Sequence, residues 1–203
     1  MKRSKVLQIT VIANLTALGV LFYFFPKFPL PIFPSFLEIQ FSNLPAIIGG
    51  FALGPIAGGV IVVLRTLIKL PFSSTAMVGE LVDLIIGLST VLTSAIIYKK
   101  MKSRKGAILG MIAGMFAWVV VAVAANYFFV LDFYIEFFFG GAVEPLLGML
   151  SVIPGVTAEN FMEKYIIYGA IPFNIILSGI VYGVAFLVYK RISHLIDEMA
   201  KKF

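Results

Sequence analysis

Six polar residues stand inside or at the edges of otherwise apolar stretches. Asn126 lies in Ala-Ala-Asn-Tyr and Asn174 in Ile-Pro-Phe-Asn. Each amide offers two donors and an acceptor oxygen, a set that suits hydroxyl and uracil-like groups on a ligand. The same amides could instead bridge neighbouring helices. Glu80 and Asp83 open an apolar run at Gly79-Glu80-Leu81-Val82-Asp83. Carboxylates in a first helical turn face the positive end of the helix dipole. They could equally contact a ligand or relay a proton. Arg65 and Lys69 close the preceding run, where they could pair with those acids or reach toward the membrane surface. Phe36 and Phe41, with Tyr127 beside Asn126, could stack on a planar ligand or anchor the chain at an interface.

Other chemistries have no residues to carry them. There is no Cys, and His194 is the single His, read as solvated, so neither a thiolate site nor a His-ligated metal can form. No Gly-rich loop ends in Lys-Ser/Thr, which removes the Walker route to ATP hydrolysis. No catalytic constellation and no cofactor site is legible. The stretch Gly49-Gly50-x-x-x-Gly54-x-x-x-Gly58-Gly59 reads as a surface for close helix packing, as does Ala13-x-x-x-Ala17. The alanine pair could receive a helix of the same chain or dock another membrane protein.

The elements that hold these residues must lie in lipid. Of 203 residues 61% are hydrophobic and 13% are charged, with mean hydropathy +1.04. A soluble domain is about 45–50% apolar and about 25% charged. One core cannot hide so much apolar surface, which excludes a soluble enzyme, a nucleic-acid-binding domain and a disordered chain. A span needs about 20 apolar residues to cross about 30 Å of hydrocarbon. Residues 6–25, 76–98, 106–130 and 165–189 qualify. The first lacks a small-x-small cleavage site and reads as a retained helix.

Charge decides the rest. Most of the 16 Lys and Arg residues fall in three clusters: Lys2, Arg3, Lys5; Lys99, Lys100, Lys102, Arg104, Lys105; and Lys190, Arg191, Lys201, Lys202. Cytoplasmic flanks collect such residues, so an even number of crossings must separate the clusters. That requires residues 42–70 to fold back at Gly54-Pro55, giving helices over 42–53 and 55–70. Of the ten acidic residues, Asp197 and Glu198 alone fall on the cytoplasmic side. The expectation is an all-α integral membrane protein of one domain. It has six transmembrane helices, both termini in the cytoplasm, and ordered outer loops over 26–41 and 131–164 capping a ligand pocket. Within the first loop FLEIQF alternates as a short strand would.

The sequence as a whole resembles a known family. The matching residues are Ala13-x-x-x-Ala17, the loop FPLPIFPSFLEIQFSNLP over 28–45, and Ile48-Gly-Gly-Phe-Ala-Leu-Gly-Pro-Ile-Ala-Gly58. Gly79-Glu80-Leu81, Arg104-Lys105-Gly106 and Ile171-Pro172-Phe173-Asn174 continue the match. This pattern resembles the S-components of energy-coupling factor (ECF) vitamin transporters, and their riboflavin-specific branch in particular. The resemblance implies a multi-pass protein of the cytoplasmic membrane that is no enzyme and has no resident cofactor. It implies riboflavin, with FMN a second option, as the transported ligand. Partners would be membrane lipid, a transmembrane coupling subunit docking at Ala13 and Ala17, and two cytoplasmic ABC ATPases. Asn126 and Asn174 would hydrogen-bond the flavin, while Leu37, Ile39, Gly79 and Glu80 would line the pocket. Riboflavin members often carry Lys where this chain has Leu177, and Asn where it has Asp83. An S-component for another vitamin, an ion-coupled secondary transporter using Glu80, Asp83 and Arg65, and a membrane scaffold are the alternatives.

Overall fold

The computed structural model describes residues 2–202, with the side chains of residues 5–191. The expectations for the side chains of Lys2, Arg3, His194, Asp197, Glu198, Lys201 and Lys202 lie outside the described residues. Helix α1, Lys2–Phe24, stops ahead of Pro26, which cannot supply a ladder donor. Helix α2, Leu44–Leu53, and helix α3, Pro55–Lys69, meet at Gly54, whose φ of 94° suits glycine, and Pro55 takes the first turn of α3. After a 3₁₀ turn at Leu70–Phe72, helix α4 runs over Val78–Met101, with Lys99 and Lys100 in its last turn where the dipole favours cations. Helix α5, Arg104–Phe138, is capped by the Ser103 hydroxyl, which accepts the Gly106 N–H at 3.1 Å. A short helix α6, Glu144–Met149, follows, then helix α7 over 161–202.

Among the described residues five helices are long and apolar enough to cross a membrane; α2 is apolar but shorter. Side chains such as Ile56 and Phe116 project outward at 80% and 72% exposure, which in water would be an unpaired apolar surface. The helices run alternately up and down. The ends at Phe24, Leu44, Lys69 and Val78 therefore gather with the 25–43 loop, and Gly54, Met101 and Arg104 gather at the opposite end with the start of α1 and the end of α7.

Several boundaries differ from expectation: α4 is shifted to Val78–Met101, α7 runs past 189 to Lys202, and two further shifts reshape the outer loop. Helix α5 continues past residue 130 to Phe138, and α7 begins at Phe161 rather than 165. The loop expected over 131–164 thus shrinks to 139–160. Asp132 and Glu136 interrupt the apolar run, but a helix keeps its hydrogen-bond ladder through charged residues. The strand expected in FLEIQF shortens to Glu38–Ile39 (β2). It pairs antiparallel with Phe28–Pro29 (β1), Phe28 opposite Ile39.

The core divides in two. One part joins α2–α5 and α7 through Ile47, Phe51, Ile61, Val91, Trp118 and Val181. There Gly58 packs so closely on Gly50 that an added Cβ would come within 2.8 Å of its Cα, as the glycine spacing implied. The second part, Leu131, Ile135, Leu146, Leu150 and Tyr165, packs α6 beneath the ends of α5 and α7.

Candidate ligand-binding site

A cavity of about 400 Å³ opens where α4, α5 and α7 meet the 25–43 loop. That falls within the about 300–1,000 Å³ typical of small-molecule pockets. Its floor and sides are apolar: Val82, Ile86, Trp118, Ala122, Phe173 and Leu177. Spacing explains which residues face inward. Trp118, Ala122 and Asn126 are four apart on α5, hence on one face.

Both amides are fixed in the same way. Asn126 donates one N–H to the Ala122 carbonyl at 2.8 Å, and its Oδ1 accepts the Tyr165 hydroxyl at 2.7 Å. Asn174 donates to the Ala170 carbonyl at 2.8 Å, and its Oδ1 accepts Trp118 Nε1–H at 3.0 Å. Each keeps one N–H without a partner among the described residues, and both residues line the cavity. Two π-helical stretches, Asn126–Val130 and Ile166–Ala170, flank the Tyr165–Asn126 bond. Such stretches insert a residue per turn and re-aim the side chains around them.

The opposite wall is acidic. Glu80, 2% exposed, accepts from the Tyr23 hydroxyl at 3.0 Å, Ser73 Oγ at 2.6 Å and Thr75 Oγ1 at 3.0 Å. Thr75 Oγ1 also accepts the Gly79 N–H at 3.0 Å, and a Cβ on Gly79 would strike that oxygen at 2.8 Å. Glu80 is therefore braced by α1 and by the α3–α4 connection together. Asp83 pairs with Lys69 and, at 3.2 Å, with Arg65; both cations are fully buried behind it. At the mouth Lys27 meets Glu38 at 2.7 Å. Among the described residues no group of His, Cys, Asp and Glu could hold a metal ion.

This arrangement suits a rigid apolar body with acceptors along one edge. A family model described as "ECF transporter, substrate-specific component" matches residues 7–189. The chain belongs to that family. An ECF substrate-specific component is a multi-pass membrane protein that takes part in transport and is no enzyme. The riboflavin transporter RibU of Staphylococcus aureus is 32% identical to this S-component over 95% of the chain and 93% of the relative. The riboflavin transporter FmnP of Bacillus subtilis is 26% identical over 96% of each. A solved structure of the S component of a bacterial ECF transporter superposes with TM-score 0.71 at 29% identity, covering 95% of this chain and 98% of that one.

Within this S-component the residues singled out in sequence do not all converge. Leu37, Gly79, Glu80, Asn126 and Asn174 line the cavity. Ile39 does not: one strand position past Glu38, it points into the helical core at 2% exposure. Of the aromatic candidates, Phe36 lines the cavity, Phe41 packs on the core and Tyr127 is exposed. Ala13 and Ala17 are exposed together on α1, while Thr16 and Gly19 face inward toward α2 and α3. Sequence reasoning did not find Trp118, Tyr165, Tyr23 or Gln40. The eight-residue, two-turn spacing from Asn126 back to Trp118 could have pointed to Trp118; the others come together only through tertiary packing.

Proposed function

We propose that this S-component binds riboflavin in the cavity and delivers it across the cytoplasmic membrane when coupled to an ATP-hydrolysing module. The carrying observation is the pair of amides, each held by an aromatic donor and each with one N–H left for a ligand. A flavin ring has carbonyl oxygens along one edge and apolar faces on both sides. Leu37, Phe36, Trp118 and Phe173 supply the apolar contact, and Asn126 and Asn174 supply direction. Gly79 lets the α4 terminus approach, Glu80 lines the rim, and Ile39 acts from behind by fixing the loop that carries Leu37. FMN shares the ring and is a second ligand of the same site. The riboflavin transporters among the relatives support the same choice.

The topology that fits is six spans, with α2 and α3 as a folded-back pair and both termini in the cytoplasm. The three basic clusters then share the cytoplasmic end, and the cavity opens outside. A transmembrane coupling subunit docks on the outward stripe of α1 at Ala13 and Ala17, and two ABC ATPases power the cycle.

Titration of the purified protein with riboflavin, read by quenching of flavin fluorescence, tests the reading. Saturable binding is expected. Asn126→Ala and Asn174→Ala should each weaken it about tenfold, since an unpaired polar group in a dry pocket costs about 1–3 kcal/mol. Full affinity in both variants would overturn the assignment of the amides.

A further inference from the structure

Asp83 lies on the cavity wall, one helical turn beyond Glu80. Its Oδ2 receives both Lys69 Nζ and Arg65 Nη2. The same Nη2 donates to Asn43 Oδ1 at 2.8 Å, which ties the carboxylate to the start of α2. The guanidinium threads between two glycines. A Cβ on Gly19 would come within 3.3 Å of Arg65 Cδ, and one on Gly87 within 2.9 Å of Nη2. Asp83 is thus held from behind by two cations with no exposure of their own.

Its other oxygen is unspent. Oδ1 has no hydrogen-bond partner among the described residues, and the side chain retains 12% exposure on the cavity. Gln40 lines the same cavity, and its Oε1 is buried without a partner. Two unfilled acceptors on one cavity call for donors from the ligand, because a buried acceptor left unpaired is costly.

We propose that Asp83, together with Gln40, is a specificity-determining contact that reads a hydroxyl of the ligand, with Arg65 and Lys69 as positioning residues that aim the Asp83 carboxylate. The inference rests on the riboflavin reading and deepens it. The ring edge supplies acceptors to the amide wall, and the polyol side chain supplies O–H donors to the acidic wall. A hydrogen bond to an ionised carboxylate is stronger than one to a neutral group. The site should therefore separate a flavin that carries the polyol from one that lacks it.

The test compares riboflavin with lumiflavin, the same ring bearing a methyl group in place of the polyol, by fluorescence titration of the full chain in detergent. Asp83→Ala should lose about tenfold or more in riboflavin affinity, Asp83→Asn less, and neither should change lumiflavin affinity. Gln40→Met leaves the ion cluster intact; it should lose riboflavin affinity several-fold and spare lumiflavin. Lys69→Met should move the riboflavin-to-lumiflavin ratio in the same direction as Asp83→Asn. Equal losses for both ligands in the Asp83 and Gln40 variants, or no loss for either, would overturn the proposal. Wild-type protein that binds neither flavin is a separate result, and it overturns the riboflavin reading itself.

Discussion

Tyr165 donates its hydroxyl to Oδ1 of Asn126 at 2.7 Å, between two π-helical stretches that bring α7 against α5. The bond is buried and fixes which way the amide points. An oxygen turned toward Tyr165 leaves the nitrogen to serve the Ala122 carbonyl and the cavity. Trp118 does the same for Asn174.

Tyr165→Phe should therefore weaken flavin binding without removing any group of the proposed contact set, and Trp118→Phe should do so while exchanging one aromatic contact for a smaller one. Each leaves an amide oxygen unpaired and free to rotate, a loss of about 1 kcal/mol or about fivefold in affinity. Fluorescence titration reads the effect. Thermal melting should show a smaller change for Trp118→Phe than for its replacement by Ala, which also empties core volume. Unaltered affinity in both Phe variants would show that the amides need no such holding.

The glycine contact between α2 and α3 gives a second expectation. In Gly58→Ala the new Cβ would sit 2.6 Å from Val91 Cγ1 and 2.8 Å from the Gly50 Cα. Val91 is fully buried, so it has little room to yield. The helices must part, at a cost of about 1–3 kcal/mol. Gly183→Ala, where an added Cβ meets nothing within 4 Å, should be near neutral. Melting of the two purified variants side by side checks the contrast; equal stability would mean the helices are not in close contact at Gly58.

Much of this fold is legible in sequence because lipid and backbone impose different, readable demands. Mean hydropathy announces the membrane, and Gly54-Pro55 announces the break between α2 and α3. Hydropathy does not announce where α5 ends, because Asp132 and Glu136 can leave the lipid while their helix continues. The amides at 126 and 174 were visible as costly polar groups in spans. Ile39 enters through the family resemblance alone; in the structure it pairs with Phe28 and turns into the helical core, a placement that alternation along a two-residue strand leaves undecided. Tyr23 and Tyr165 were invisible as site residues, since each meets its partner across tens of residues of chain.

The six-span topology makes a labelling prediction. Ser35 is exposed at the cavity end, and Ser103 caps α5 at the basic end. With Ser35→Cys, an impermeant thiol reagent added outside intact cells should label the protein; with Ser103→Cys it should label only after the membrane is opened. The chain has no Cys of its own to confuse the readout. Labelling of the Ser103 variant from outside would invert or break the topology.

The outward stripe of α1 carries the prediction for energy coupling. The chain has no nucleotide-binding loop, and in the proposed reading uptake against a gradient is powered by a partner that hydrolyses ATP. Within lipid, apolar surface no longer drives helices together, and close packing on small residues takes over. Ala13 and Ala17 are exposed on one face of α1, four residues apart, while the opposite face packs on α2 and α3. Tyr23, which braces Glu80 at the cavity, lies six residues beyond Ala17, about 9 Å along the helix. A bulky residue at either alanine should therefore block a partner helix and leave the cavity undisturbed. Ala13→Trp and Ala17→Trp should keep riboflavin affinity within about twofold while losing co-purification with the coupling subunit and ATP-dependent uptake. Normal transport in both variants would place the docking face elsewhere. Loss of riboflavin binding in both would show that the stripe supports this chain's own packing.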